Sequence, residues 1–174
     1  LDKIYSRPIK MDELWFPTRA GDIILLPDQR LVKVARQTPE SIYLNHEGAN
    51  IVYPTAEFYK LKFSNISLGY TLTLHFTLEE SPENRLKLEE IYKTMDSELR
   101  EYIETQNGDL CRSIRTIELS IRQILNDTQT SYRLLVRMAP NSAKHYLEMK
   151  DLLNNATAII ARNNDWKIIL TEVL

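Results

Sequence analysis

The chain has 174 residues, 43% hydrophobic and 26% charged, and its 22 basic and 24 acidic side chains leave a formal charge of −2. That length suits one medium domain or two small ones leaning on each other. Near-neutral charge argues against a large basic face for nucleic acid, and the lone cysteine, Cys111, excludes an internal disulfide framework and fits a reducing compartment.

The apolar run Ile23 to Leu26 spans only four residues, and nothing in the sequence is expected to cross a bilayer as a helix. The opening Leu-Asp-Lys-Ile-Tyr lacks the apolar stretch of a signal peptide. A leucine in place of an initiating methionine reads as a fragment or processed product, with a membrane segment expected upstream if the chain is anchored.

Residues 1–16 carry Arg7-Pro8, mixed charges and Leu14-Trp15-Phe16, and read as a lead-in segment. From Pro17 to Ser67 the strand signals are short and close: Ile23–Leu26, Leu31–Ala35, Ser41–Asn45, Ile51–Tyr53 and Lys60–Ser64. Pro-Asp, Thr-Pro, Glu-Gly and Pro-Thr breaks separate them. Five short strands within about fifty residues predict a small barrel or a strongly bent sheet. Gly48 is expected to supply a positive φ at a hairpin turn.

Past Leu68 the rhythm changes. Tyr70, Leu72, Leu74, Phe76 and Leu78 alternate with Thr71, Thr73, His75, Thr77 and Glu79, the pattern of a strand with one buried face. Ser81 is placed to cap a helix beginning at Pro82. Its stripe runs Leu88, Ile91/Tyr92, Met95, Leu99 and Tyr102/Ile103, and Asn107-Gly108 ends it. Residues 112–125 fit a strand through Ile117, Leu119 and Ile121, and a helix face through Ile114, Ile117, Ile121 and Ile124. Their β-branched content favours a strand. Asn126-Asp127 turns into the alternating run Tyr132, Leu134, Val136 and Met138. A second helix follows Asn141-Ser142, with Tyr146, Met149, Leu152/Leu153, Ala156 and Ile159/Ile160 facing inward. Asn163-Asn164-Asp165 stops it, and Trp166 to Val173 closes the chain as a strand. The order strand, helix, strand, strand, helix, strand is that of a ferredoxin-like βαββαβ sandwich. The predicted class is α+β: a small Sm/SH3-like β barrel over 17–67, then a ferredoxin-like domain over 68–174.

Catalytic chemistry finds no foothold. His46, His75 and His145 have no i, i+4 partner and no acid-cysteine cluster nearby, so they read as solvent-facing or internally satisfied, His75 on the polar side of its strand. Cys111 lacks a histidine nearby in sequence and reads as an inert thiol. Glu79-Glu80 and Glu89-Glu90 are adjacent pairs whose side chains point apart. Trp15 and Trp166 read as packing or interface residues. No cofactor, metal or enzymatic activity is expected. Arg112, Arg115, Arg122, Arg133 and Arg137 read as exposed arginines, several of them sharing one sheet face if their segments are strands.

Five residues carry a resemblance. Gly21 and Asp22, within Pro17-Thr18-Arg19-Ala20-Gly21-Asp22-Ile23-Ile24, are followed by Glu47-Gly48, by Pro54 after Ile51-Val52-Tyr53, and by Asn65 in Phe63-Ser64-Asn65-Ile66-Ser67. These residues and the intervals between them resemble the β domain of the mechanosensitive channel of small conductance (MscS) family. Tyr132 to Met138 followed by Ala139-Pro140-Asn141-Ser142 resembles the strand and turn before that family's last helix. The resemblance implies the cytosolic, vestibule-forming part of a channel on the inner membrane that releases ions and small osmolytes under tension. It implies a homo-oligomer, a heptamer in that family, joined to the membrane by an upstream segment, with no nucleic acid bound. On this reading Gly21, Asp22, Gly48, Pro54 and Asn65 are structural positions, while Arg133 and Arg137 line the vestibule and bias which ions gather there.

Three departures stand out. Thr55 follows Pro54 where the family usually has asparagine, so that turn should be capped differently. Pro27-Asp28-Gln29-Arg30 replaces a glycine-bearing segment. The family's alanine- and glycine-rich pore helix is not in residues 1–16. The alternative reading is a soluble ferredoxin-like ligand- or RNA-binding module with an accessory Sm-like barrel, and the lack of aromatics interleaved with basic residues weighs against RNA.

Overall fold

Two antiparallel sheets organise the computed structural model, which describes residues 17–174. The lead-in segment with Trp15 lies outside the described residues. The chain divides into two compact units between Leu68 and Gly69.

In the first unit, β1 (Ile23–Leu25), β2 (Leu31–Gln37), β3 (Ser41–His46), β4 (Ala49–Pro54) and the two-residue β5 (Ser64–Asn65) form one sheet ordered β4-β3-β2-β1-β5. Period-two alternation buries Val32 and Val34 on β2 and Ile42 and Leu44 on β3, against Ile24, Leu26 and Phe58. The β3–β4 hairpin closes through Glu47 (φ 50°) and Gly48 (φ 85°), with His46 paired to Ala49. Two consecutive positive φ values are what a two-residue turn needs to match strand twist, and glycine takes the second at no steric cost.

The expected strand at Lys60–Ser64 is not formed; only Ser64 belongs to a strand there. The short helix α1 (Thr55–Phe58) and a following turn take its place. Local bonds satisfy this backbone: the Tyr59 N–H donates to Thr55 O (3.1 Å) and the Leu61 N–H to Phe58 O (3.0 Å). The compact path delivers Phe58 to the core, where its ring stacks on Phe63 at 4.7 Å. Burial of that ring outweighs the ladder bonds a strand would have made.

The second unit runs β6 (Tyr70–Glu79), α2 (Leu88–Gln106), α3 (Gly108–Arg112), β7 (Ile114–Asn126), β8 (Gln129–Met138), α4 (Tyr146–Asn163) and β9 (Lys167–Val173). Its sheet is ordered β7-β8-β6-β9, and every pairing is antiparallel. Leu72, Leu74, Phe76 and Leu78 on β6, with Tyr132, Leu134, Val136 and Met138 on β8, are buried beneath the two long helices. α2 contributes Ile91, Met95, Leu99 and Ile103; α4 contributes Met149, Leu153, Ala156 and Ile160. Each such side chain removed from water is worth about 1.5–3 kcal/mol.

Two local expectations fail here. Pro82–Asn84 form only a 3-10 turn, Ser81 makes no capping bond, and α2 begins at Leu88. The backbone is extended at Arg85 and Lys87, and the loop is held by Glu80, whose Oε2 accepts the Leu86 N–H at 3.0 Å. Asn107 does end α2, but Gly108 opens α3, with Asn107 Oδ1 capping the Leu110 N–H at 3.1 Å. The ambiguous stretch divides in two: helical to Arg112, extended from Ile114. Bulges between Ile114 and Thr116, Ile121 and Gln123, and Ile124 and Asn126 each shift the inside-outside phase of β7. Broken alternation is why its sequence, favoured as a strand, also fitted a helix face.

Candidate functional site

The motif positions of the first unit sit at turns and strand ends. Gly21 (φ 94°) donates its N–H to Val34 O at 2.7 Å, and the Val34 N–H returns to Asp22 O at 2.8 Å, extending the β1–β2 pairing upstream. Asp22 Oδ2 accepts from the Arg19 N–H and from Asn65 Nδ2, both at 2.8 Å. Asn65 Nδ2 also donates to Pro17 O (3.2 Å), while its Oδ1 accepts the Ser67 N–H (3.3 Å). Ser67 Oγ in turn accepts the Ile23 N–H at 2.9 Å. Asp22, Asn65 and Ser67 therefore meet in one polar lock that clamps two-residue β5 against β1, while Gly21 is tied to β2. Gly48 and Pro54 lie elsewhere, at a hairpin tip and at the end of β4.

The departures have physical counterparts. Thr55 Oγ1 donates to Thr38 O at 3.0 Å and the Thr55 N–H to Glu40 O at 2.9 Å, so a hydroxyl ties the turn after Pro54. In the β1–β2 loop Gln29 takes the positive φ of 72°. Asp28 accepts the Arg30 N–H (3.1 Å) and pairs with its guanidinium (2.6 Å). The Arg30 backbone N–H, foremost, holds the Asp28 carboxyl below its ordinary range.

Residue-by-residue reading missed Thr18 and Gln37. Fully buried Thr18 donates its hydroxyl to Gln37 Oε1 at 2.8 Å, and Gln37 Nε2 donates to Thr18 O at 2.6 Å. The Tyr59 hydroxyl lies 3.1 Å from Thr18 Oγ1. The alternation of Val32 and Val34 puts Gln37 on the outward phase, and the bulge between Val34 and Arg36 turns it inward, so local periodicity carried no signal for it.

In the second unit the sheet face opposite the helices carries charge. Arg133 and Arg137 are both exposed on this side of β8. Arg133 stands opposite His75 on β6 and Ser120 on β7, and His75 stands opposite Glu172 on β9. Arg137 Nη2 lies 3.4 Å from Glu118 Oε2. Burial lowers the His75 pKa, and the Arg122 and Arg133 cations add to the effect while Glu172 opposes it. Arg115 and Arg122 are the extra residues of two bulges, and Arg112 sits on α3 paired with Asp109 rather than on a strand.

The histidines stay apart. His46 Nδ1 lies 2.9 Å from Leu31 O; since a carbonyl only accepts, that nitrogen carries the proton. His145 Nδ1 lies 2.8 Å from Glu148 Oε2. Among the described residues no group of three or more His, Cys, Asp or Glu side chains is placed to hold a metal ion. Partly buried Cys111 donates its thiol to Arg100 O at 3.4 Å, and burial pushes its pKa up, away from the reactive thiolate. No helix among the described residues is long and apolar enough to cross a membrane.

No family profile and no curated protein sequence matches the chain. Solved structures do. The closed-state MscS of Helicobacter pylori is 14% identical and superposes with a TM-score of 0.61, over 91% of this chain and 58% of that one. Two structures of MSL1 from Arabidopsis thaliana, each 12% identical over 88% of this chain, give TM-scores of 0.55 and 0.52. The chain spans little more than half the length of these channel structures, at 58%, 52% and 53%. At such identities the likeness establishes the fold: a mixed α+β chain with two antiparallel sheets, like part of MscS.

Proposed function

We propose that this chain is the vestibule-forming, extramembrane region of an MscS-like mechanosensitive channel. The observation that carries the reading is that the likeness to closed-state MscS covers 91% of the chain at a TM-score of 0.61. Residues 17–67 then act as a small Sm/SH3-like barrel and 68–174 as a ferredoxin-like domain. The strand order β7-β8-β6-β9 is the one a βαββαβ sandwich requires. Identical copies assemble as a ring, a heptamer by the family resemblance, on the cytoplasmic side of the inner membrane below an upstream membrane-spanning segment. Ions and small osmolytes pass through.

Two further features support the ring. Strands β4, β7 and β9 each have one edge without a paired strand among the described residues. Val52, Ile121, Ile124, Leu125 and Ile169 are large apolar side chains left exposed. Identical subunits in a closed ring cover such edges and patches. Gly21, Asp22, Gly48, Pro54 and Asn65 keep each subunit rigid, and Arg133 and Arg137 line the vestibule, attracting anions.

Native mass spectrometry of the 174-residue chain tests the assembly. A discrete ring of identical subunits is the expected species, and a monomer at every concentration overturns the reading of this segment as self-assembling. In the channel containing this segment, Arg133→Glu with Arg137→Glu should shift the reversal potential toward cation preference in single-channel recording.

A further inference from the structure

The sequence holds a single Asn-Gly pair, Asn107-Gly108; the other glycines, Gly21, Gly48 and Gly69, follow Ala20, Glu47 and Leu68. The pair lies at the joint between α2 and α3, and both residues are half-buried. An asparagine before glycine is the pair best suited to attack on its own side chain, because the following residue has no Cβ to hinder close approach.

Four hydrogen bonds hold Asn107. Its N–H donates to Ile103 O at 2.7 Å, and its carbonyl oxygen accepts the Cys111 N–H at 3.1 Å. Its Oδ1 accepts the Leu110 N–H at 3.1 Å, and its Nδ2 donates to Glu148 Oε1 on α4 at 3.4 Å. The backbone is extended, with φ −160° and ψ 97°. At this ψ the Gly108 nitrogen is turned away from the Asn107 side chain. Bringing it round to Asn107 Cγ swings the Asn107 carbonyl off the Cys111 N–H and breaks the cap on Leu110. α3 has only five residues, too few to persist alone, and fully buried Leu110 anchors it. Opening so short an element costs less than unfolding the whole unit.

We propose that Asn107 is a site of spontaneous deamidation, guarded in the folded chain by the α2–α3 joint. When α3 opens, the Gly108 amide nitrogen attacks Asn107 Cγ and forms a C–N bond while the Cγ–Nδ2 bond breaks. Ammonia leaves with the proton given up by the Gly108 amide, and a cyclic imide remains. Water then opens the imide at either carbonyl, giving aspartate or isoaspartate. Aspartate puts a carboxylate where the amide N–H had faced Glu148, so like charges oppose reclosure. Isoaspartate routes the main chain through Cβ and Cγ and loses the side-chain cap on Leu110. All of these residues belong to the unit from Gly69 to Leu174, so the site stands independently of the channel reading.

The test is incubation of the 174-residue chain at mildly alkaline pH, native and in denaturant, with conversion read by mass spectrometry of the peptide that carries Asn107. In denaturant Asn107 should convert before every other asparagine. In native buffer its conversion should be at least about ten-fold slower, a factor set by the opening of the joint. Leu110→Ala, which removes the α3 anchor, should bring the native rate to within about three-fold of the denatured one. Glu148→Ala, a milder change, should raise the native rate about three-fold. Gly108→Ala should slow conversion at least about ten-fold in denaturant; the comparison belongs there because in the fold a Cβ at 108 would lie 3.1 Å from Glu104 Oε1. Equal native and denatured rates overturn the proposal. So does another asparagine converting ahead of Asn107 in denaturant, or a native rate unaltered by both Leu110→Ala and Glu148→Ala.

Discussion

The two units solve the same problem by different means. Residues 69–174 lay two long helices on a sheet whose β6–β8 ladder runs through ten consecutive pairs from Tyr70 to Glu79. Apolar area and an unbroken ladder hold that unit together. The 17–68 unit has eight buried apolar residues among those described and a closing strand of two residues. It compensates with specific polar ties: Asp22 to Asn65, Ser67 to Ile23, Thr18 to Gln37 and Thr55 to Thr38. A small domain buries a lower share of its surface, so individual contacts weigh more. The difference teaches that a small core leans on individual hydrogen bonds where a larger one leans on buried area.

The sharpest way to break this contrast is Phe58→Ala. Losing the ring stacked on Phe63 should cost about 4 kcal/mol. Denaturant titration followed by amide resonances from each unit should show residues 17–68 melting first. Simultaneous loss of both units would erase the distinction. Next in size is Asn65→Ala, which strips Asp22 of a donor and should cost about 1–2 kcal/mol. Its counterpart in the other unit, the helix cap Asn107→Ala, should cost about 1 kcal/mol, a smaller fraction of a larger total.

Two pH experiments probe the second unit alone. Burial, foremost, pushes the Tyr70 phenol up to about 12, with the Ser142 side chain opposing the rise and Tyr146 adding to it. The folded state therefore favours the neutral phenol. That stability is complete below the ordinary tyrosine value of 10.0 and is lost as pH rises toward 12. Tyr70→Phe should flatten this alkaline loss in thermal melts. The smallest effect belongs to His75, whose pKa is lowered by burial and then by Arg122 and Arg133. The folded state favours neutral imidazole, so its contribution is present above 6.5 and is lost as pH falls below that value. His75→Gln should reduce the acid sensitivity of the second unit and leave the first unchanged, as read by residue-specific melts.

Much of the fold was legible because its signals are local. The alternation of Tyr70 to Glu79 and of Tyr132 to Met138, and the stripes of α2 and α4, each reveal which side is buried. Glu47-Gly48 marked its hairpin by turn chemistry alone. Illegible stretches are those where a distant contact outbids local preference. Phe58 pulls 55–61 into a helix and turn, Glu80 displaces Ser81 as the holder of its loop, and three bulges scramble the phase of β7.

Residue order by itself determined the α+β class and the positions of most strands and both long helices, because period and turn residues act over a few positions. Only the tertiary structure decided that Asp22, Asn65 and Ser67 form one lock, that Gln37 meets Thr18, and that Glu80 and Trp166 share a cleft. The pairings of Asp22 with Asn65, of Thr18 with Gln37 and of Glu80 with Trp166 join residues 19 to 86 positions apart. No local pattern encodes them, since they exist only once the sheets have set which strands are neighbours.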